Sequence, residues 1–134
     1  MANYSIAWDN DDKTVILVTY QPHWTWGDFY DSNMQTVALM KSVAHEVHVI
    51  ADFRPAAAVP LGGAITHAHS AIKTFPPNWG LLVIVTSNML VTRLVTIFRR
   101  TFPYDMGEKT FSVGTIEEAY KLFAQRSAHM REQA

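Results

Sequence analysis

Leu81-Leu82-Val83-Ile84-Val85, followed by Thr86-Ser87-Asn88 and then by Leu90, Leu94, Ile97 and Phe98 at helical spacing, packs a strand, a cap and an amphipathic helix into the most apolar stretch of the chain. Five apolar residues in a row suit a strand covered on both faces, as in parallel sheets. Ser87 or Asn88 can accept hydrogen bonds from the first free amides of the helix that follows. A membrane span needs about 20 mostly apolar residues, and Ser87, Asn88 and Arg93 interrupt the run. No membrane span is expected.

The same unit recurs on either side. Upstream, Val47 to Asp52 is a strand, and Ile65, Ala68, Ile72 and Phe75 mark a helix closed by Pro76-Pro77. Between them lies an irregular loop with Pro55, Pro60, Gly62 and Gly63. Earlier still, Thr25 stands three residues before Asp28 in capping-box spacing, opening a helix with Trp26, Phe29, Tyr30, Met34, Val37 and Ala38 on one stripe and an end near Ser42. Downstream, Thr110 to Val113 is strand-like, and Thr115 with Glu118 caps a last helix through Tyr120 and Phe123. The polar tail beyond Ala124, from about residue 125, is expected to fray.

At the start, Tyr4, Ile6 and Trp8 alternate with small residues, and the acidic turn Asp9-Asn10-Asp11-Asp12 leads into Thr14 to Tyr20, giving a hairpin. Helical crossovers make the strands beginning at Thr14, Val47, Leu81 and Thr110 parallel. The expected fold is therefore α/β: a mostly parallel mixed sheet with an antiparallel N-terminal edge strand and about four helices. No linker or repeat divides residues 1–134, so one domain is expected.

Composition narrows function by exclusion. With no cysteine in 134 residues, disulfides, thiolate metal sites and thiol catalysis are ruled out. A net charge of -1 argues against a nucleic-acid binder, which needs a clustered cationic face. Met1-Ala2-Asn3-Tyr4 lacks the basic start and apolar run of a signal peptide, making the cytoplasm the expected location. Near-neutral charge with high apolar content favours self-association, with the exposed first strand as an edge for a homodimer.

The order of elements resembles the STAS, or SpoIIAA-like, fold of anti-sigma-factor antagonists across nearly the whole chain. Trp24-Thr25-Trp26-Gly27-Asp28-Phe29-Tyr30, Val49-Ile50-Ala51-Asp52-Phe53-Arg54, Leu82-Val83-Ile84-Val85 and Thr115-Ile116-Glu117-Glu118-Ala119 resemble in particular a bacterial STAS/Sec14-like group. The resemblance implies a non-catalytic module that binds a protein partner or, in some relatives, an apolar ligand. Phosphoswitch antagonists carry an Asp-Ser-x-Gly-like motif after the third strand. Here the stretch from Asp52 to Gly63 has no serine or threonine, and Thr66, just inside the next helix, is the nearest hydroxyl on which phosphorylation would fall. Most exposed helical threonines have no such role.

Ligands of open α/β sheets bind outside the carboxyl ends of the strands. The loops there bring Trp24, Trp26, Phe53, Arg54, Asn88 and Met89 forward as ligand-binding candidates, with the tryptophans holding an apolar body and Arg54 and the amides near Asn88 an anionic head. Against this, Trp26 and Phe53 suit core packing and Asn88 suits a helix cap. Ser87, His23 and Asp52 share that edge, but Ser87 lacks a nucleophile elbow and no spacing predicts contact, so no catalytic residue is assigned and the protein is not expected to be an enzyme.

Metal and cofactor readings are equally weak. His67 and His69, two apart on a helix, point away from each other, with His67 toward solvent and His69 on the Ile65 and Ile72 stripe; His45 and His48 are read as solvated or singly hydrogen-bonded. Asp9, Asp11 and Asp12 lack the glycine and glutamate of a calcium loop. No metal or cofactor is expected. Arg93, Arg99 and Arg100 offset a helix dipole or steer an acidic partner.

Two functions follow: a protein-interaction module, or a carrier or sensor of an apolar or amphiphilic small molecule in a pocket at the carboxyl edge of the sheet. The first predicts an exposed apolar face on the helices bearing Ile65 or Leu94. The second predicts a cavity beside Trp26.

Overall fold

The computed structural model describes residues 2–56, 60 and 62–133. Five strands, β1 (Tyr4–Trp8), β2 (Val15–Tyr20), β3 (Val47–Asp52), β4 (Trp79–Val85) and β5 (Thr110–Val113), lie side by side in sequence order. β1 pairs antiparallel with β2, from Tyr4 opposite Tyr20 to Trp8 opposite Ile16. The remaining neighbours are parallel. Asn10 shapes the hairpin: its Oδ1 accepts from the amides of Thr14 at 3.0 Å and Val15 at 3.2 Å. Asp11 and Asp12 of the turn are exposed to water, while Asp9 accepts from Tyr120 OH.

Because each parallel strand is added on the same side of the last, crossovers of one hand put their helices on one face of the sheet. These are α1 (Trp26–Lys41), α2 (Ala64–Ile72) and α3 (Met89–Thr101). They cover Ile16, Val18, Tyr20, Val49 and Leu82. α4 (Ile116–Gln133) covers the opposite face with Ala119 and Phe123 against Val15, Ile50, Leu81, Val83 and Val85.

The helix starts follow local chemistry. Thr25 and Asp28 complete a reciprocal capping box, with the Asp28 amide donating to Thr25 Oγ1 and the Thr25 amide to Asp28 Oδ2. Asn88 Oδ1 accepts from Leu90 N–H at 2.8 Å. α2 has no such cap and begins from Gly63, whose φ of 74° suits a residue without Cβ. Of the irregular loop ahead of it, residues 57–59 and 61 lie outside the described residues.

Several expectations need correction. The buried face of α1 is Ser32, Thr36 and Met40, while Met34 and Tyr30 are exposed. Hydroxyls take the inner face because they are satisfied within it: Thr36 Oγ1 donates to Ser32 O, Ser32 Oγ to Phe29 O, and Tyr20 OH meets Ser32 Oγ at 2.7 Å. On α3 the inner residues are Val91, Val95 and Phe98, with Leu94 half-buried and Leu90 and Ile97 outside. Arg99, expected to offset the helix dipole or steer a partner, is half-buried, donating to the carbonyls of Gly107 and Thr110 and lying over the Phe111 ring. The polar tail does not fray into a loop. α4 continues to Gln133, and Arg126 holds Glu46 through two bonds of 2.9 Å.

Of the two readings of His48, solvated or singly hydrogen-bonded, the structure shows the second, with the ring buried. β4 carries one extra residue opposite Val47–Val49, and the displaced Leu81 N–H donates to His48 Nδ1 at 2.9 Å. The imidazole therefore completes a β-bulge and stacks on Phe123, with ring centroids 4.4 Å apart. Gly80 makes this possible, since any Cβ there would collide with the His48 ring. Burial lowers the His48 pKa to about 4, outweighing the attraction of Glu46, so the ring is neutral at pH 7.

Candidate functional site: an apolar cavity under three helices

Between the sheet and the layer of α1, α2 and α3 lies a cavity of about 130 Å³. Its floor is made by alternate residues of the central strands, Val18 and Tyr20, Val49 and Ala51, Leu82 and Ile84. One strand face points one way because side chains alternate, so these six share a surface. α2 contributes small side chains, Ala64, Ala68 and Ala71, and these leave room that larger residues would fill. Val91, Leu94, Val95 and Phe98 of α3 close the far side.

At the carboxyl end of the sheet the wall is aromatic. Phe53 stacks on Tyr20 at 4.5 Å and 7°, Trp24 meets Trp26 edge-on at 5.0 Å, and Trp26 meets Phe29 edge-on at 5.2 Å. Such pairs contribute about 0.5–1.5 kcal/mol beyond the area they bury, which holds the rings in fixed orientations. His67 stacks on Trp26 at 4.2 Å and its Nδ1 lies 2.6 Å from Tyr30 OH. This corrects the solvent-facing placement expected for His67.

The polar groups of the wall are largely engaged with one another. Tyr20 OH is bonded to Ser32, Thr36 and Ser32 to backbone carbonyls of α1, and Thr110 Oγ1 donates to Met106 O. Asn33 Nδ2 donates to Thr74 Oγ1 at 2.9 Å. Burial raises the Tyr20 pKa well above its ordinary value, so the phenol stays neutral. By contrast, Trp24 is 4% exposed and its Nε1–H has no partner among the described residues. A buried unpaired donor costs about 1–3 kcal/mol. The wall thus offers an incoming molecule apolar contact nearly everywhere, and the Trp24 indole, like that of Trp79 elsewhere in the core, has an N–H without an internal bond among the described residues.

Of the six candidates from sequence, the structure brings Trp24, Trp26 and Phe53 together in this wall and leaves three outside it. Arg54 is tied to Asp52 by Nε and Nη2, each at 2.9 Å, and its pKa is raised by that pairing. Asn88 spends its side-chain oxygen on the α3 cap, and Met89 is exposed. The anionic head-group corner is therefore absent from the cavity. Thr66 sits exposed near the start of α2.

Ser87 and His23 are exposed, and Asp52 is buried against Arg54, with no hydrogen bond linking the three. His69 stacks on Phe102 at 4.1 Å, away from His67 on Trp26. His45 Nε2 lies 2.8 Å from Lys13 O. Among the described residues no three of histidine, aspartate or glutamate gather as a metal would require, and no helix is long and apolar enough to cross a membrane.

Sequence reasoning missed the depth of the cavity. It placed the pocket at the sheet edge, whereas the space extends inward under α2 and α3. The alanines at 64, 68 and 71, spaced by four and three on one helix face, were the legible signal. No family model, no curated protein and no solved structure matches the chain, so its likeness to other proteins adds nothing to the geometry of this cavity.

Proposed function

We propose that the protein is a non-catalytic binding module that carries or senses a small apolar molecule, held between the sheet and the three-helix layer. One observation supports this reading above the rest: a cavity of about 130 Å³ with apolar walls in an α/β core, where interiors otherwise pack like organic crystals. Apolar cavities of about 150 Å³ stay dry and take up benzene or xenon. The ligand is thus about one ring or one short branched chain in size. An acceptor atom on it would satisfy Trp24 Nε1.

The resemblance of the sequence to STAS/Sec14-like domains, which bind rather than react, supports the same reading. A role through protein contacts, the other function which that resemblance implies, draws on a different surface, the outer face of α3.

Benzene and acetophenone test the proposal, because they share a ring and differ in an acceptor oxygen. Each should raise the thermal midpoint in proportion to its occupancy of the folded state and shift the methyl signals of Val49, Ile65 and Leu94. Ala51→Val, which fills the floor, should weaken both at least tenfold. Trp24→Phe should remove the advantage of acetophenone over benzene. The reading fails if neither compound moves the midpoint near its solubility limit and native mass spectrometry of protein from its own host shows no retained mass.

A further inference from the structure

The chain's near-neutral charge conceals a division. The residues from Pro55 to Tyr104 contain no aspartate or glutamate and four cations, Lys73, Arg93, Arg99 and Arg100, a formal +4. The rest of the chain sets seven lysines and arginines against twelve acids, a formal -5. The first set builds α2, β4 and α3, and the two helices lie together on one face of the sheet beside α1, which carries Asp28 and Asp31.

On that side, α3 has more apolar residues than its own packing uses. Val91, Val95 and Phe98 face the sheet, while Leu90 and Ile97, each 50% exposed, and Met89 stand outside. Seven residues are two helical turns, about 10 Å along the axis, so Leu90 and Ile97 lie in line. Arg93 and Arg100 are also seven apart and exposed. They run alongside the apolar line, and neither forms an ion pair among the described residues. Arg99, by contrast, is used internally against Gly107 and Thr110.

We infer that the outer face of α3 is a docking surface for an acidic amphipathic helix of a protein partner, whose apolar stripe covers Leu90 and Ile97 while its carboxylates pair with Arg93 and Arg100. Apolar residues two turns apart, flanked by one sign of charge, match the way one helix lies along another. α3 itself carries no acid, and the nearest in the chain, Asp105 and Glu108, follow its C-terminal end, away from Leu90 and Arg93 along the helix.

Other occupants fit less well. An anionic membrane surface gains about 1 kcal/mol per nearby cation, and two arginines on a helix already committed to the sheet supply too little for stable binding. A second copy would have to present its acidic remainder, a head-to-tail contact that builds rings or open filaments rather than the two-fold dimer most common among oligomers. The inference concerns a surface separate from the cavity, and it stands or falls independently of what the cavity holds.

The probe is a 16-residue helical peptide with leucines on one stripe flanked by glutamates, compared with a counterpart carrying lysines in place of the glutamates. The acidic peptide should bind at least tenfold more tightly, weaken as salt rises, and shift backbone amide signals centred on Leu90, Arg93 and Ile97. The double variant Arg93→Glu, Arg100→Glu changes only exposed side chains, and its amide spectrum reports whether it folds. It should reverse the preference in favour of the lysine peptide. The inference is overturned if the acidic peptide does not bind at millimolar concentration, if the shifts fall elsewhere, or if the reversal leaves the preference unchanged. It is also overturned if the protein ignores the peptide but cosediments with phosphatidylglycerol vesicles, or self-associates, in a manner that depends on Arg93 and Arg100.

Discussion

On one face of the sheet three helices stand over an apolar cavity; on the other a single helix packs directly onto the strands. Under α4 the contacts are dense and specific, with Phe123 stacked on His48, Ile50 and Val83 fully buried, and Tyr120 OH donating to Asp9 Oδ2 at 2.6 Å. Under α1 to α3, alanines stand where larger residues would close the gap. A filled face contributes stability and tolerates no change of shape. An unfilled face gives up some packing energy, about 24 cal/mol for each Å³ left empty in engineered cases, and retains room for a ligand.

The sharpest way to break this contrast is at the bulge beneath α4. Gly80→Ala puts a methyl group into the His48 ring, and it should cost about 3 kcal/mol in urea denaturation. His48→Ala together with Gly80→Ala should cost less than the sum of the two single changes, because the collision is then gone. An additive result would mean that the bulge does not depend on the imidazole.

Acid should weaken the same face next. The unfolded chain binds a proton on this histidine near pH 6.5, but the folded protein does so only near pH 4. Stability from His48 is therefore complete above pH 6.5 and falls as the pH drops toward 4, by about 3 kcal/mol in all. Glu46, whose carboxyl is held below its ordinary value first by the hydrogen bonds of Arg126, loses its contribution only below about pH 4.5. The window from 6.5 to 4.5 thus separates His48 from Glu46, and His48→Asn should reduce the slope of the stability profile there.

The cavity face should respond in the opposite sense. Ala51→Val adds two methyl groups to the cavity floor on a strand that favours branched residues, and it should stabilise the protein by about 0.5–1.5 kcal/mol while excluding ligands. A loss of stability from that change would mean that the floor is already closely packed. The smallest effect belongs to Arg126→Ala. Its ion pair with Glu46 is partly exposed, so about 0.5–1 kcal/mol is expected, together with faster amide exchange in the last turns of α4.

Much of the architecture was legible because it follows from local rules. The hairpin, the capping pairs Thr25 with Asp28 and Thr115 with Glu118, and the alternation of strand and helix each depend on residues close together in the chain. Helix faces were less legible. Met34 and Leu90 fit an apolar stripe by spacing but ended outside, while Ser32 and Thr36 ended inside, since a hydroxyl bonded to its own helix is cheap to bury. The tail was misjudged for a related reason: its anchor, Glu46, lies eighty residues earlier.

By itself the sequence determined the α/β order, the parallel run of strands with one antiparallel edge, and three aromatic residues of the cavity wall, because hydrophobic period, caps and turn residues act over a few positions. Only the tertiary structure decided which helices share a face and that His48 closes a bulge. It also decided that Arg54 is consumed by Asp52 and that a space remains beneath α2. Those outcomes depend on shapes meeting across the fold, where the volume of each side chain is set against neighbours that the chain order does not name.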